Sequence, residues 1–342
     1  MGRVPSAERF AAIAAERSRQ QIPVCAAFAG TSRLFIVGAE GLSVENGRQV
    51  LSEVAAGQHL VGGEAGAHYQ DRKFALVWPS SSPDGFFFRF YQLDLASGTF
   101  LPNMECGNAA AACGAFAVAA GLCEPAADGI LGENLGTGQR VRLVPTDASP
   151  GAACDWEVTF LQQDFSVEAI GLGEGVVEAP GYPAIGYHTL ERGNAFVFAG
   201  IDPDWVGSDL AGLVEQDVRR AGGRVGDSDY RPKIVFYAVD SSPLDGPTWL
   251  RACCHYAGEQ HRSIPGSAAM SMAGLLTLIL PDSAPAPWTG GVRTYMVRHP
   301  SGILPVQAAW VREAEATRIH ATRFHSPVRI LFVGNIFVDM AQ

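Results

Sequence analysis

MECGNAAAACGAFAVAAGL, residues 104–122, carries no charge after Glu105 and no polar stripe after Asn108. A helix that is Ala-rich and apolar all round has no face to turn to water, so it must be enclosed by other elements. The spacing predicts such a helix over residues 107–122. A second stretch of the same kind, SAAMSMAGLLTLIL at 267–280, is small and apolar, and its later half, with Thr277 and Ile279, is expected to turn into strand. Around these two lie short apolar or alternating runs of strand type: CAAFAG, RLFIVGA, KFALVW, FFFRFYQLDL and RVRLVP, broken by Gly, Pro and Ser clusters. The first twenty residues read as a short amphipathic helix. Two strand-rich halves, each holding one wholly apolar helix after a Gly-containing turn, predict an α+β protein. Its two similar domains are each a barrel-like sheet wrapped around a central apolar helix. Gly and Pro concentrate around APGYPAIGYHTLERGN, which puts the boundary near residue 185. The first domain is taken as residues 1–185, rejoined by the C-terminal strand 329–342, and the second as 186–328.

The chain has 342 residues, enough for two domains of roughly 150 residues each. With a net charge of −10 it would meet a phosphate backbone with its own sign, so nucleic acid is not an expected partner. The N-terminal Ala run is interrupted by Arg and Glu, unlike the core of a signal peptide, and no run approaches the 18 or so apolar residues of a membrane span. Seven cysteines form an odd set without C-x-x-C pairs or His partners at metal-ligand spacing. Reduced thiols, a cytoplasmic location and no metal are the expectations. There is no G-x-S-x-G, Walker loop, dinucleotide fingerprint or HExxH, so hydrolase, nucleotide and zinc-protease chemistry lack support.

Cys106 stands immediately before the first apolar helix, where the N–H groups of the first turn would favour a thiolate and could also bind a substrate carboxylate. Gly107 permits close backbone approach, and Asn108 can cap the helix or hold a ligand. The plainer alternative is a small buried hydrophobe, the commonest fate of a free cysteine. Lys73 draws attention through composition: only Lys73 and Lys233 are lysines, against 23 arginines. A guanidinium does not give up its proton near neutral pH, whereas a desolvated amine can serve as a general base. His261, Gly266 and Ser267 lie in the turn before the second apolar helix, a second anion-binding amide nest facing the first. Ser267 reads as an N-cap rather than a catalyst. His261 and His299 are compatible with ordinary structural roles.

Taken in order, these segments resemble the 2-methylaconitate isomerases, which include the oxalomesaconate and methylitaconate isomerases. FAGTSRLFIV at 28–37 resembles the family's R-G-G-T-S-K-G segment, and RKFALV at 72–77 its T-S-K-x-x-I-x strand. MECGNAAAACGAFAVAAGL resembles C-G-N with its apolar helix. RGNAFVFAG at 192–200, HRSIPGSAAM at 261–270, RHPSGILPV at 298–306 and SPVRILFVGNIFV at 326–338 resemble later segments. The resemblance implies the diaminopimelate-epimerase-like fold with the active site in the cleft between its domains. It also implies catalysis by Lys73 and Cys106 without metal or organic cofactor, and a substrate shell of Thr31, Ser32, Gly107, Asn108, Asn194, His261, Gly266, Ser267, His299 and Ser301. The partner is a small molecule; a homodimer is left open.

The implied reaction is an allylic 1,3-proton shift on an unsaturated carboxylic acid, as double-bond migration or cis-trans isomerisation. Departures bear on the substrate: the family's Arg falls on Phe28 and its Gly on Ala29, the T-S before the lysine is Asp71-Arg72, and an Arg of the closing motif is Ser326. Arg33, Arg72, Arg262 and Arg329 are candidate replacements. Phe86, Phe87 and Phe88 suggest apolar surroundings, hence a substrate less acidic, larger or more apolar than methylaconitate. Epimerisation at one carbon is the alternative enzyme reading. A repurposed member that binds or cyclises a biosynthetic intermediate is the alternative outside it.

Overall fold

The computed structural model describes residues 20–57, 69–94, 97–102, 104–146, 153–161, 166, 171–190, 194–206, 208–221, 231–241, 246–256, 258–280, 290–313 and 316–338. The helix expected over the first twenty residues lies outside them, apart from Gln20.

In the first half β1 (Gln20–Ala29), β2 (Ser32–Gly38), β3 (Lys73–Pro79), β4 (Gly85–Asp94), β6 (Ile130–Asn134), β7 (Arg140–Pro145) and β8 (Ala153–Leu161) pair successively, with β5 (Thr99–Leu101) as a short flap on β4. The last strand, β17 (Ala316–Val338), then pairs with both β8 and β1 and closes an eight-stranded barrel. Helix α1 (Val44–Gly57) packs outside it, and α2 (Gly107–Ala119) runs through it against all eight strands. An eight-stranded barrel has an interior sized for side chains, so a helix fits only if its own side chains are short. The run Ala109–Ala112, with Cys113 and Gly114, is how this one fits, and Gly107 through Ala117 are all buried.

The second half repeats the order. β9 (Leu172–Val177) pairs with β10 (Ile185–Leu190), followed by β11 (Phe196–Gly200), α3 (Ser208–Arg220), β12 (Lys233–Ser241), β13 (Thr248–Tyr256), the flap β14 (Glu259–Gln260), α4 (Gly266–Ile279), β15 (Gly290–His299) and β16 (Gly302–Glu313). β16 joins β17, whose 23 residues therefore serve both halves. The internal pairings correspond. β2 with β3 and β11 with β12 are parallel across a helix, β4 with β6 and β13 with β15 are parallel, and β5 and β14 each fold back on a central strand. α4 remains helical to Ile279 rather than turning into strand at Thr277. The Thr277 hydroxyl caps the Ala273 carbonyl at 2.7 Å and meets Tyr295 Oη at 2.7 Å, so its polar group is satisfied within a helix.

One apolar cluster runs through both halves and includes α2 and α4. Phe324 of β17 stands where the helices begin. A Cβ on Gly107 would lie 2.5 Å from its ring, and one on Gly266 would lie 2.4 Å from it. Both helices thus start on glycine because one aromatic ring occupies the space a side chain would need. Gly107→Ala and Gly266→Ala should each cost about 1–3 kcal/mol of stability, the usual cost of overpacking. Each cost should shrink when combined with Phe324→Leu, which urea unfolding of the single and double variants would show; simple additivity would refute the wedge.

Candidate functional site

The N-cap of α2 is Cys106, in extended backbone (φ −147°, ψ 105°), and no side chain caps the helix. Asn108 is therefore inside the first turn. Its Oδ1 accepts from Ser326 Oγ at 3.0 Å, and Ser326 is fully buried, so the serine that stands where the resemblance places an arginine orients Asn108. The tight turn at Gly30 (φ 54°) comes close to the same amide: a Cβ there would lie 2.8 Å from Asn108 Nδ2. Ser267 likewise is not a cap. Pro265 holds that place on α4, again without a side-chain cap, and Ser267 is buried in the first turn. The amides at both helix starts are thus left for another acceptor.

Lys73 is the first residue of β3, in register with Leu34, whose side chain belongs to the core around α2. Its amine therefore points inward. Nζ donates to Ser32 Oγ at 2.8 Å and to Cys106 Sγ at 3.4 Å. Only 6% of Lys73 is exposed.

The second half meets this centre through a chain of short bonds. Thr31 Oγ1 lies 2.8 Å from Ser263 Oγ and accepts from Gln70 Nε2 at 2.6 Å, while Gln70 Oε1 accepts from the Arg262 N–H at 2.9 Å. His261 Nδ1 is 2.9 Å from the Ser263 carbonyl. Arg262 pairs with Asp71 at 3.1 Å, and its carbonyl accepts from Ser301 Oγ. Ser301 N in turn donates to His299 Nδ1 at 3.2 Å. On the other side, Asn194 clamps the Glu105 backbone, accepting from its N–H at 2.8 Å and donating to its carbonyl at 3.3 Å. Thr31, Ser32, Lys73, Cys106 and Asn108 gather from the first half, and Asn194, His261, Gly266, His299 and Ser301 border them from the second.

The candidate cations divide. Arg72 reaches Glu259 at 3.8 Å and Arg262 reaches Asp71, both beside the site. Arg33 and Arg329 are cross-strand neighbours of Phe28 on the outer face of the barrel, opposite to the face that holds Ser32 and Lys73. The phenylalanine cluster does not surround the site either: Phe86 and Phe88 are sealed in the barrel core.

Sequence reasoning missed Gln70, Ser263, Phe324 and Glu105. Glu105 alone left a signal, as a carboxylate directly before an apolar helix. Its Oε1 accepts from Asn134 Nδ2 at 3.1 Å and from Thr137 Oγ1, while Oε2 has no partner among the described residues. Burial raises its carboxyl to about 8, with the Asn134 hydrogen bond pulling the other way. The folded chain thus holds an extra proton between this group's ordinary 4.5 and about 8. Its contribution to stability is full below that window and is lost as pH climbs through it. Urea midpoints at pH 5 and pH 8.5 should fall less for Glu105→Gln than for the parent; equal falls would refute the assignment.

Among the described residues no cluster of His, Cys, Asp and Glu is arranged to hold a metal ion, and no helix is long and apolar enough to cross a membrane. All seven cysteines are free thiols.

No protein-family model matches the chain, and no curated protein matches it. Solved structures do. A methylitaconate-delta-isomerase is 18% identical with a TM-score of 0.59, the alignment covering 94% of this chain and 96% of the other. A hydroxyproline epimerase from Agrobacterium vitis, with bound trans-4-hydroxy-L-proline, is 14% identical with a TM-score of 0.60, over 94% and 93%. A phenazine biosynthesis protein of the PhzF family from Bacillus anthracis is 12% identical with a TM-score of 0.55, over 93% and 100%. The alignments run across nearly the full length, and the chain has the diaminopimelate-epimerase-like α+β fold.

Proposed function

We propose that this chain is an isomerase that moves a proton within a small unsaturated carboxylic acid, using side chains alone. The observation that carries the reading is Lys73 Nζ at 3.4 Å from Cys106 Sγ, at the uncapped start of α2. An amine and a thiol at hydrogen-bond distance can exchange a proton, so the thiol can tune and reset the amine that meets the substrate. In the proposed reaction Lys73 removes an allylic proton next to the carboxylate-bearing carbon, leaving a dienolate. The first-turn amides of α2 and α4 take up the carboxylate and the developing charge. Proton return at the far carbon of the allyl unit completes the 1,3-shift. Ser32 holds the amine in place through its 2.8 Å bond. Thr31, Asn108, Asn194, His261, His299 and Ser301 shape the substrate shell.

The solved neighbours include an isomerase and an epimerase, which fits proton-transfer chemistry of this class. A substrate less acidic than methylaconitate fits the site as well. Arg72 and Arg262, the two guanidiniums beside it, each have a carboxylate of the protein for a partner, which reduces the positive charge on offer.

Proton NMR in deuterated water on a panel of unsaturated acids tests the reading, comparing the parent with Lys73→Met and Cys106→Ser. The expected result is deuterium at two carbons related by an allylic shift. Loss should be about 100-fold or more in each variant, the scale of a missing general acid or base. Exchange at one carbon with inversion would make the protein an epimerase instead. Binding without exchange across the panel would move it to a binding role.

A further inference from the structure

The second of the chain's two lysines has no part in the chemistry above, and its position is not arbitrary. Lys73 opens β3, which runs parallel to β2 across α1; Lys233 opens β12, which runs parallel to β11 across α3. In the repeat of elements the two occupy the same place. Lys73 is in register with Leu34 and Lys233 with Phe196, and both partners face the core that contains the central helices. Two residues before each partner stand Ser32 and Asn194. The first bonds Lys73 directly; the second clamps the backbone of Glu105, the residue before Cys106. Lys233 N itself donates to the Ala195 carbonyl at 2.9 Å. One short path of backbone and side-chain bonds therefore leads from Lys233 through Ala195 and Asn194 to Cys106.

The repeat breaks at one telling point. At the start of α2 the N-cap is Cys106, and at the start of α4 it is Pro265, which has no proton to give. The second half has no thiol there but does have a lysine. In a chain that uses arginine everywhere else, an amine survives at these two equivalent positions alone. Packing does not require it: the Lys233 amine lies over the rings of Phe196 (5.6 Å) and Tyr256 (5.3 Å), where arginine stacks at least as well. What arginine cannot do is change protonation state.

We propose that Lys233 is a second acid–base residue of this site, working on the substrate from the second half while Lys73 works from the first. This rests on the proton-transfer reading. In one turnover the neutral amine of Lys73 takes the allylic proton and becomes ammonium, and the C–H electron pair moves into the dienolate. The ammonium of Lys233 then gives a proton to the far carbon and becomes a neutral amine. The pair ends with its protonation states exchanged, and proton exchange with water resets it. Desolvation holds the Lys233 ammonium below the ordinary lysine range, with the charge of Lys73 acting in the same direction and Cys254 and Cys106 opposing. Both cations therefore need not be charged at once.

Having only two lysines makes the test direct. Full-length protein grown with lysine labelled with carbon-13 at Cε should give two side-chain resonances, assigned by Lys73→Met and Lys233→Arg. The expected result is a Lys233 midpoint below the usual value of about 10.4 that moves when Lys73 becomes Met or Cys106 becomes Ser. This arm needs no substrate, so it stands even if no acid in the panel is turned over. On an acid that the parent isomerises, Lys233→Arg and Lys233→Met should still wash deuterium into the carbon that Lys73 deprotonates. Isomer formation should fall about 100-fold or more, because the return proton is missing. Lys73→Met should lose both. A Lys233 signal that titrates like a free lysine and ignores Lys73 and Cys106 would overturn the proposal, as would a Lys233→Arg enzyme that isomerises at the parental rate.

Discussion

An apolar helix must be enclosed, and enclosing it inside a strand shell leaves only its ends accessible. That constraint organises this molecule. The eight strands around α2 pair edge to edge until the shell closes, so the helix is covered along its sides. Its N-terminus is the place where backbone donors remain, because Cys106 extends away without capping them. The small side chains that let the helix fit therefore also fix where a ligand anion can be held. Fold and site follow from a single packing requirement.

The second constraint is that two such helices start against one ring. Phe324 sits beneath Gly107 and Gly266 alike, on the long strand that passes from one half to the other. Anything that displaced β17 would move both amide clusters at once. The contacts between halves are polar at the rim, Thr31 with Ser263, Gln70 with Arg262 and Asn194 with Glu105. They are apolar beneath, where one core cluster includes both central helices. The rim fixes relative orientation to hydrogen-bond precision, and the core supplies the bulk of the attraction.

Much of this was legible in the residues. The all-round apolar character of 107–119 and 266–279 announces enclosed helices, and the scarcity of lysine singles out Lys73. What escaped reading involved long-range partners. Asn108 looks like a cap until the buried Ser326 hydroxyl, over 200 positions away, is seen to bond it. Phe86 and Phe88 look like a site lining because strand alternation does not say whether a face meets a ligand or a helix, and here it meets α2. Arg33 and Arg329 fail as site cations for the same reason of parity. One residue's shift along a strand turns a side chain to the opposite face. Gln70 and Ser263 have no local pattern at all, since each carries a bond to the other half.

The composition then acquires a physical meaning. In a chain with 23 arginines and two lysines, each lysine opens the strand that runs parallel to its neighbour across an outer helix. Lys73 is nearly sealed from water, and a guanidinium there would remain charged whatever its surroundings. The Lys73 amine lies instead against Ser32 Oγ and Cys106 Sγ, both able to share a hydrogen bond with it. Lys73 thus sits beside the uncapped first turn of α2, a side chain able to exchange a proton next to backbone donors that cannot. On the proposed reading, that pairing lets charge develop on a bound acid without any ion entering or leaving the protein.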